Sequence, residues 1–209
     1  MNSIAFLLAA IVIAITYGVI WLRADTSGIR TTLKTAPVAI LALASAIGGG
    51  PWLLTVGLAL SALGDAALSR PGDNAFRAGL GAFLLAHIAY IPLFWSGIDG
   101  AIVSGAAFWV CVALMIAYAM AAARWLWPHL GEMRPPVAVY MGAIATMGVA
   151  SLTGSPPILL GALFFIASDT VLAAETFVLA NSPRKWTSPT IWATYIAAQV
   201  LIFWGVMAL

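Results

Sequence analysis

Long apolar runs follow one another along the chain with only short polar breaks between them. Eight such runs stand out, at about 4–22, 34–48, 51–69, 76–95, 101–123, 135–152, 157–180 and 188–208. Within each run the apolar residues are continuous and do not alternate with polar ones, which excludes a membrane β-barrel. A helix needs roughly 20 apolar residues to cross about 30 Å of hydrocarbon. In lipid only a helix or a closed barrel satisfies its own backbone. The pattern therefore predicts an all-α integral membrane protein with eight transmembrane helices. The runs consume most of the chain, so residues 1–209 read as a single eight-helix transmembrane domain without a soluble appendage. The first run has no basic segment before it and is followed by Arg23, so it reads as a retained span rather than a secretory signal.

Composition agrees and narrows the function. Of 209 residues 63% are hydrophobic and 8% charged, and the mean hydropathy is +1.05. A soluble domain carries about 25% charged residues, so a soluble enzyme and a disordered chain are excluded. The net charge of +2 is too small for a nucleic-acid footprint. One cysteine excludes a disulfide framework. The charges are also sorted by position. Arg23, Arg30 and Lys34, then Arg70 and Arg77, then Arg124 and Arg134, then Arg184 and Lys185 all lie near the connections after helices 1, 3, 5 and 7. The connections near Gly48–Pro51, Ser96–Gly100 and Thr153–Pro156 carry no Lys or Arg. The positive-inside rule then places the N- and C-termini outside the cytoplasm, in what is expected to be a bacterial inner membrane. All tryptophans but Trp109 fall near run ends, as an interfacial belt would.

An internal echo suggests two parallel four-helix repeats. Leu63-Gly64-Asp65-Ala66-Ala67-Leu68-Ser69 reads against Ala167-Ser168-Asp169-Thr170-Val171-Leu172-Ala173, and Pro37-Val38-Ala39-Ile40 against Pro136-Val137-Ala138-Val139. On this reading Asp65 and Asp169 occupy related positions.

Ionisable residues inside a span are costly and mark function by default. Four stand there: Asp65, His87, Asp169 and Glu175. The helical period puts Gly57, Ser61 and Asp65 on one face, Gly79, Phe83 and His87 on another, Gly161, Phe165 and Asp169 on a third, and Tyr195 with Gln199 on a fourth. Small residues on such faces let helices approach closely and turn the polar groups inward. Asp65 and Asp169 are the candidate catalytic pair, supported by His87, Tyr140, Tyr195 and Gln199. Glu175 is expected to pair with Arg184 or Lys185 at the interface. Two histidines cannot build a three-His zinc site, and no G-x-S-x-G elbow is present. The available chemistry is carboxyl acid–base work, with no metal and no cofactor.

The order of these motifs resembles the YhhN family of membrane proteins, whose animal members are lysoplasmalogenases. The matching pieces are Ser61-Ala-Leu-Gly-Asp65 with Leu68, Gly79-x-x-x-Phe83-x-x-x-His87-x-x-Tyr90, Tyr140, Gly161-Ala-Leu-Phe164-x-x-x-Ser168-Asp169, and Tyr195-x-x-x-Gln199. They cover about two thirds of the chain. The chain departs from the family at Glu175-Thr176, where an Asn followed by a basic residue is common, and at Lys34-Thr-Ala-Pro37, where a Lys-Pro pair is common. The resemblance implies an eight-helix hydrolase that cleaves the vinyl ether bond of lysoplasmalogens to a fatty aldehyde and a glycerophospho-base. Its partners would be a lysophospholipid-type substrate and membrane lipids, with no nucleic acid. Two carboxyls in low dielectric would divide the work as they do in glycosidases, Asp169 as general acid and Asp65 as the stabilising anion, or the reverse. His87, Tyr140, Tyr195, Gln199 and Ser61 would orient the acids or the glycerol, and Lys34, Arg70 and Arg77 could hold the phosphate. The alternative is a proton-coupled carrier of a lipid or other small molecule using the same acids; a third reading gives the two aspartates a structural role.

Overall fold

Among the described residues eight α-helices account for the eight apolar runs. They are α1 (Ser3–Thr16), α2 (Gly28–Ile47), α3 (Trp52–Leu68), α4 (Asp73–Trp95), α5 (Gly105–Leu126), α6 (Arg134–Ala150), α7 (Pro156–Ala173) and α8 (Thr187–Met207). Short π-helical stretches prolong α1 through Tyr17–Trp21 and α7 through Ala174–Val178. The structure is a computed structural model and describes residues 3–95, 103–180, 182 and 184–207; among these there is no strand. The connection expected near Ser96–Gly100 lies outside the described residues.

Six of the helical stretches are long and apolar enough to cross a membrane: Ile4–Trp21, Asp73–Trp95, Gly105–His129, Gly131–Thr153, Pro156–Val178 and Thr187–Met207. Helix α3 is shorter, at 17 residues. Helix α2 has the length, at 20 residues, but begins six residues before the apolar run. Its cap explains this. The Ser27 hydroxyl accepts from the Arg30 amide at 3.2 Å, a normal N-cap bond. The first turns therefore take in Arg30, Thr31, Thr32 and Lys34, which dilute the apolar character.

Glycines decide how closely the helices lie. A Cβ on Gly57 would stand 2.3 Å from the Tyr90 ring, and one on Gly64 would stand 2.5 Å from the Phe83 ring. These two contacts draw α4 onto α3. A Cβ on Gly161 would stand 3.0 Å from the Ala198 carbonyl, so α8 lies backbone-close on α7. The core between the helices is filled by Leu41, Leu54, Leu58, Phe94, Phe165 and Phe203, each at most 2% exposed. Helix α5 stands apart, packed chiefly on α6, with Leu126 its one fully buried residue.

The basic connections meet at one end of the bundle. Arg23 donates to the Lys185 carbonyl at 2.9 Å, and the Ser69 hydroxyl donates to Thr31 at 2.8 Å. A shared groove brings Arg70 and Arg77 beside Glu132 and Thr176. At the opposite end Ser45 bonds Thr55 at 2.8 Å and Thr153 donates to the Phe94 carbonyl at 3.0 Å.

One tryptophan does not belong to the expected belt. Trp192 is buried, donates its indole N–H to the Ala14 carbonyl at 2.9 Å, and packs on Tyr17 with ring centroids 4.5 Å apart. Its place in the first turns of α8 set it near a run end, but α1 covers it. Trp52, Trp95, Trp186 and Trp204 are exposed near helix ends, as an interfacial belt requires.

Candidate active site

The polar residues inside the bundle form two clusters. In the first, Asp65 of α3 is 3% exposed and its Oδ2 accepts a hydrogen bond from the Tyr195 hydroxyl at 2.7 Å. One turn along each helix, Tyr90 of α4 donates to Gln199 Oε1 of α8 at 2.9 Å. The Ser61 hydroxyl donates to the Gly57 carbonyl of its own helix at 2.9 Å, which satisfies it without a partner helix. Lys34 of α2 is close enough to act electrostatically on Asp65. The side-chain nitrogen of Gln199 is buried and has no hydrogen-bond partner.

In the second cluster the Tyr140 hydroxyl of α6 donates to Asp169 Oδ2 at 2.5 Å. His87 Nε2 lies 3.8 Å from the same oxygen, the one ion-pair distance within 4 Å among the described residues. His87 Nδ1 lies 2.6 Å from the Phe83 carbonyl. A carbonyl can only accept, so Nδ1 carries a proton. In the neutral ring Nε2 is then a lone-pair acceptor. It is buried, has no hydrogen-bond partner and faces Asp169. The ring is held edge-on between Tyr140 and Phe165, at centroid distances of 5.1 and 4.6 Å.

An aromatic layer links the two clusters. Phe83 packs edge-on against both Phe165 (6.2 Å) and Tyr195 (5.6 Å). Phe83 also lines a narrow apolar cavity of about 80 Å³ enclosed by α4, α5, α6 and α7. Asp169 and Tyr140 line this cavity as well, and Asp65 does not. All the sequence-derived site residues thus lie within the bundle, but the two carboxyls have different partners.

The cavity has a direction. At its inner end it is walled by Met115, Ile144 and Ile166. Toward the basic end of the bundle it passes Asp169 and continues past Leu68, Phe76, Thr176 and Phe177. The same four residues line a wider vestibule of about 610 Å³, whose rim carries Arg70, Asp73, Arg77 and Glu132. An apolar channel with one hydrogen-bonded carboxyl partway along it and a charged mouth suits an amphiphile with a long chain and a polar head.

Three outcomes differ from the sequence reading or add to it. Glu175 makes no ion pair with Arg184 or Lys185. Its carboxylate accepts from the Thr187 hydroxyl and, at 3.1 Å, from Ser188. The π-helical turn at Ala174–Val178 carries Glu175 to the start of α8, where a carboxylate is favourable. Tyr118, which sequence reasoning passed over, bonds Thr170 beside Asp169 across the cavity wall. A lone tyrosine in the middle of an otherwise apolar α5 was the available signal. Asp73 and Glu132 were legible only as acids in or near loops.

Comparison with known proteins adds to this geometry. The YhhN family matches residues 29–206. A lysoplasmalogenase of Mycobacterium bovis is 36% identical over 174 residues, covering 80% of this chain and 65% of its own. Lysoplasmalogenase TMEM86B of Rattus norvegicus is 33% identical over 192 residues, covering 89% of this chain and 77% of its own. The human TMEM86B is 32% identical over 195 residues, with 89% and 79% covered. The chain therefore spans about two thirds of the length of the mycobacterial relative. No solved structure matches the chain. With the family signature running through α2 to α8, across both polar clusters and the cavity that the second of them lines, this integral membrane protein belongs to the YhhN family.

Proposed function

We propose that the protein is a membrane-embedded hydrolase that cleaves the vinyl ether bond of a lysoplasmalogen-type lysolipid, releasing a fatty aldehyde and a glycerophospho-base. The observation that carries this is the cavity. It is apolar at its inner end, presents the carboxyl of Asp169 under the Tyr140 hydroxyl, and opens to an arginine-lined mouth. A single-chain lipid lying along it puts its hydrocarbon among Met115, Ile144 and Ile166, its ether linkage beside Asp169 and its head at Arg70 and Arg77. The names of the mycobacterial and mammalian relatives point the same way.

Vinyl ethers hydrolyse through protonation at carbon. Asp169 as the acid delivers its proton to the β-carbon, and the vinyl ether becomes an oxocarbenium ion. The carboxylate left behind lies next to that cation and stabilises it, as a preorganised charge does best in a dry site. Water then adds to the α-carbon and gives up a proton to Asp169, which regenerates the acid. His87 Nε2, an unpartnered acceptor 3.8 Å from Asp169 Oδ2, holds that water. The hemiacetal loses the proton of its new hydroxyl as its ether oxygen gains one. The C–O bond breaks, and aldehyde and glycerol hydroxyl separate with one water consumed.

Tyr140 fixes Asp169 by bonding Oδ2, leaving Oδ1 for the proton. Asp65, held by Tyr195 and within electrostatic reach of Lys34, acts as a second negative charge at longer range across the Phe83 layer. Gln199 and Ser61 keep Tyr90 and the α3 backbone in place around it. No cofactor or metal takes part in this scheme.

We also read all eight helices as crossing the membrane in one domain over 1–209, with the basic end cytoplasmic, both termini outside and the location a bacterial inner membrane. The nine bases gathered at one end support this. Nothing observed supports the carrier alternative.

The test is aldehyde release from a lysoplasmalogen by purified protein in detergent, where a carrier has no gradient to work on. Run in D₂O, the aldehyde is expected to carry one deuterium at the carbon next to the carbonyl. Run in H₂¹⁸O, the glycerophospho product is expected to stay unlabelled. Label in the glycerol oxygen means attack on the glycerol side and contradicts the mechanism.

A further inference from the structure

The cavity beside Asp169 has one thin side. Helix α5 supplies its wall there through Met115, Tyr118, Ala119, Ala122 and Leu126, which the helical period sets on one face. Yet α5 packs chiefly on α6, and of its residues only Leu126 is fully buried. Toward α7 it makes a single hydrogen bond among the described residues, between Tyr118 and Thr170. The Thr170 hydroxyl donates its own proton to the Ile166 carbonyl at 2.6 Å, so Tyr118 is the donor. Tyr118 lines the cavity and is nevertheless 39% exposed. Leu114 on its own helix and Leu163 and Ala167 on α7 are exposed as well. The wall at this point is one ring thick, with the cavity on one side and hydrocarbon on the other. The rest of the seam is apolar contact, such as Phe177 against the cluster around Leu126, and lipid tails replace contacts of that kind at little cost.

We propose that the seam between α5 and α7 is the entrance of the cavity from the bilayer, through which a single-chain lipid slides in sideways, and that the Tyr118–Thr170 bond is the latch that closes it. A chain threaded end-on through the vestibule would have to pass Arg70, Asp73, Arg77 and Glu132 and leave its hydrocarbon surroundings methylene by methylene. Sideways passage keeps the chain in hydrocarbon throughout. One hydrogen bond between membrane helices shifts an equilibrium only a few-fold, so the latch holds α5 closed and still yields to each arriving lipid. The entrance rests on the lysolipid reading above. It adds a place where the membrane delivers the lipid, and it gives Tyr118 a part outside the catalytic cluster.

The experiment follows exchange of a lipid that cannot react. The full chain in bilayer nanodiscs is given a radiolabelled alkyl ether lysophosphocholine. Its association and dissociation rates are measured beside aldehyde release from a lysoplasmalogen. Tyr118→Phe is expected to raise both rates roughly threefold, the average worth of one such bond, and to leave their ratio unchanged, because a latch alters access and not the bound state. Matched unfolding curves verify its fold. In a Cys111→Ala chain, Tyr118→Cys with Thr170→Cys lets a short reducible bis-methanethiosulfonate tie the seam. Tying before the lipid is added is expected to block association, tying afterwards to trap the bound lipid, and reduction to reverse both. Each single cysteine variant treated alike is expected to exchange freely. Exchange at the untied rate in the tied protein overturns the entrance, as does a Tyr118→Phe protein with wild-type rates. If aldehyde is released but exchange ignores the tie, the entrance falls and the hydrolase stands. If exchange obeys the tie but no aldehyde forms, the entrance stands and the hydrolase falls.

Discussion

At the scale of single residues the account rests on one oxygen. Asp169 Oδ2 takes the Tyr140 hydrogen bond at 2.5 Å and faces His87 Nε2 at 3.8 Å. Removing the hydroxyl in Tyr140→Phe frees the carboxyl to rotate. It is expected to lower kcat roughly tenfold, or about 1.4 kcal/mol, with little change in KM, read from initial rates of aldehyde release. Asp65→Asn keeps an acceptor for Tyr195 but leaves the Lys34 ammonium without its compensating charge. This variant is expected to lower the unfolding temperature in detergent and to lower kcat less than Asp169→Asn does; a stable Asp65→Asn protein would contradict the assigned role. The individual residues were largely legible in the sequence, because an acid in an apolar run is conspicuous whatever its surroundings. Which acid lines the cavity was not. Asp65 and Asp169 sit in similar heptapeptides, and only the position of Phe83 between α3, α7 and α8 separates their surroundings. The fate of Glu175 was hidden for a similar reason. A π-helical turn rotates it onto the start of α8, and nothing in the pattern of apolar positions announces an extra residue in a helical turn.

At the scale of elements the glycines carry the argument. They let the Tyr90 and Phe83 rings of α4 seat on α3 and let α7 meet α8 at backbone distance, and Asp65, Tyr90, Tyr195 and Gln199 gather in one hydrogen-bonded cluster. Gly57→Ala sets a methyl 2.3 Å from the Tyr90 ring. It is expected to cost about 1–3 kcal/mol by overpacking and to break the Tyr90–Gln199 bond. Gly161→Ala presses on the backbone of α8 and is expected to behave alike. Gly81→Ala, on the same helix as Tyr90, meets nothing within 4 Å and is expected to leave stability unchanged or raise it slightly. Thermal unfolding of the three variants in detergent reads all these outcomes, and a Gly57→Ala protein as stable as Gly81→Ala contradicts the packing described. Asp65 of α3 takes its hydrogen bond from Tyr195 of α8, whereas Asp169 of α7 takes its own from Tyr140 of α6 and faces His87 of α4. Helix existence was plain from the apolar runs. Helix starts were less so, because the Ser27 cap recruits polar residues that composition alone assigns to a loop.

At the scale of the whole molecule, charge is sorted twice. The bases collect at one end of the bundle, and of the acids within it Asp169 lines the cavity while Asp65 is held apart by Tyr195. Single cysteines placed at Arg70 and at Arg184 are expected to react with a membrane-impermeant thiol reagent only when it is supplied from the cytoplasmic side, in a chain whose Cys111 is replaced by Ala. Labelling from the outer side contradicts the orientation. On the proposed function, the same sorting keeps a lysolipid's head at the charged end while its chain passes the Asp169 carboxyl into an apolar interior. The most direct measurement is therefore the initial rate of aldehyde release from a lysoplasmalogen by purified wild-type protein and by Asp169→Asn at equal folded yield. The account predicts clear turnover by the wild type and a loss of at least about 100-fold in the variant, the scale of a general acid. Turnover in Asp169→Asn equal to that of the wild type would contradict it.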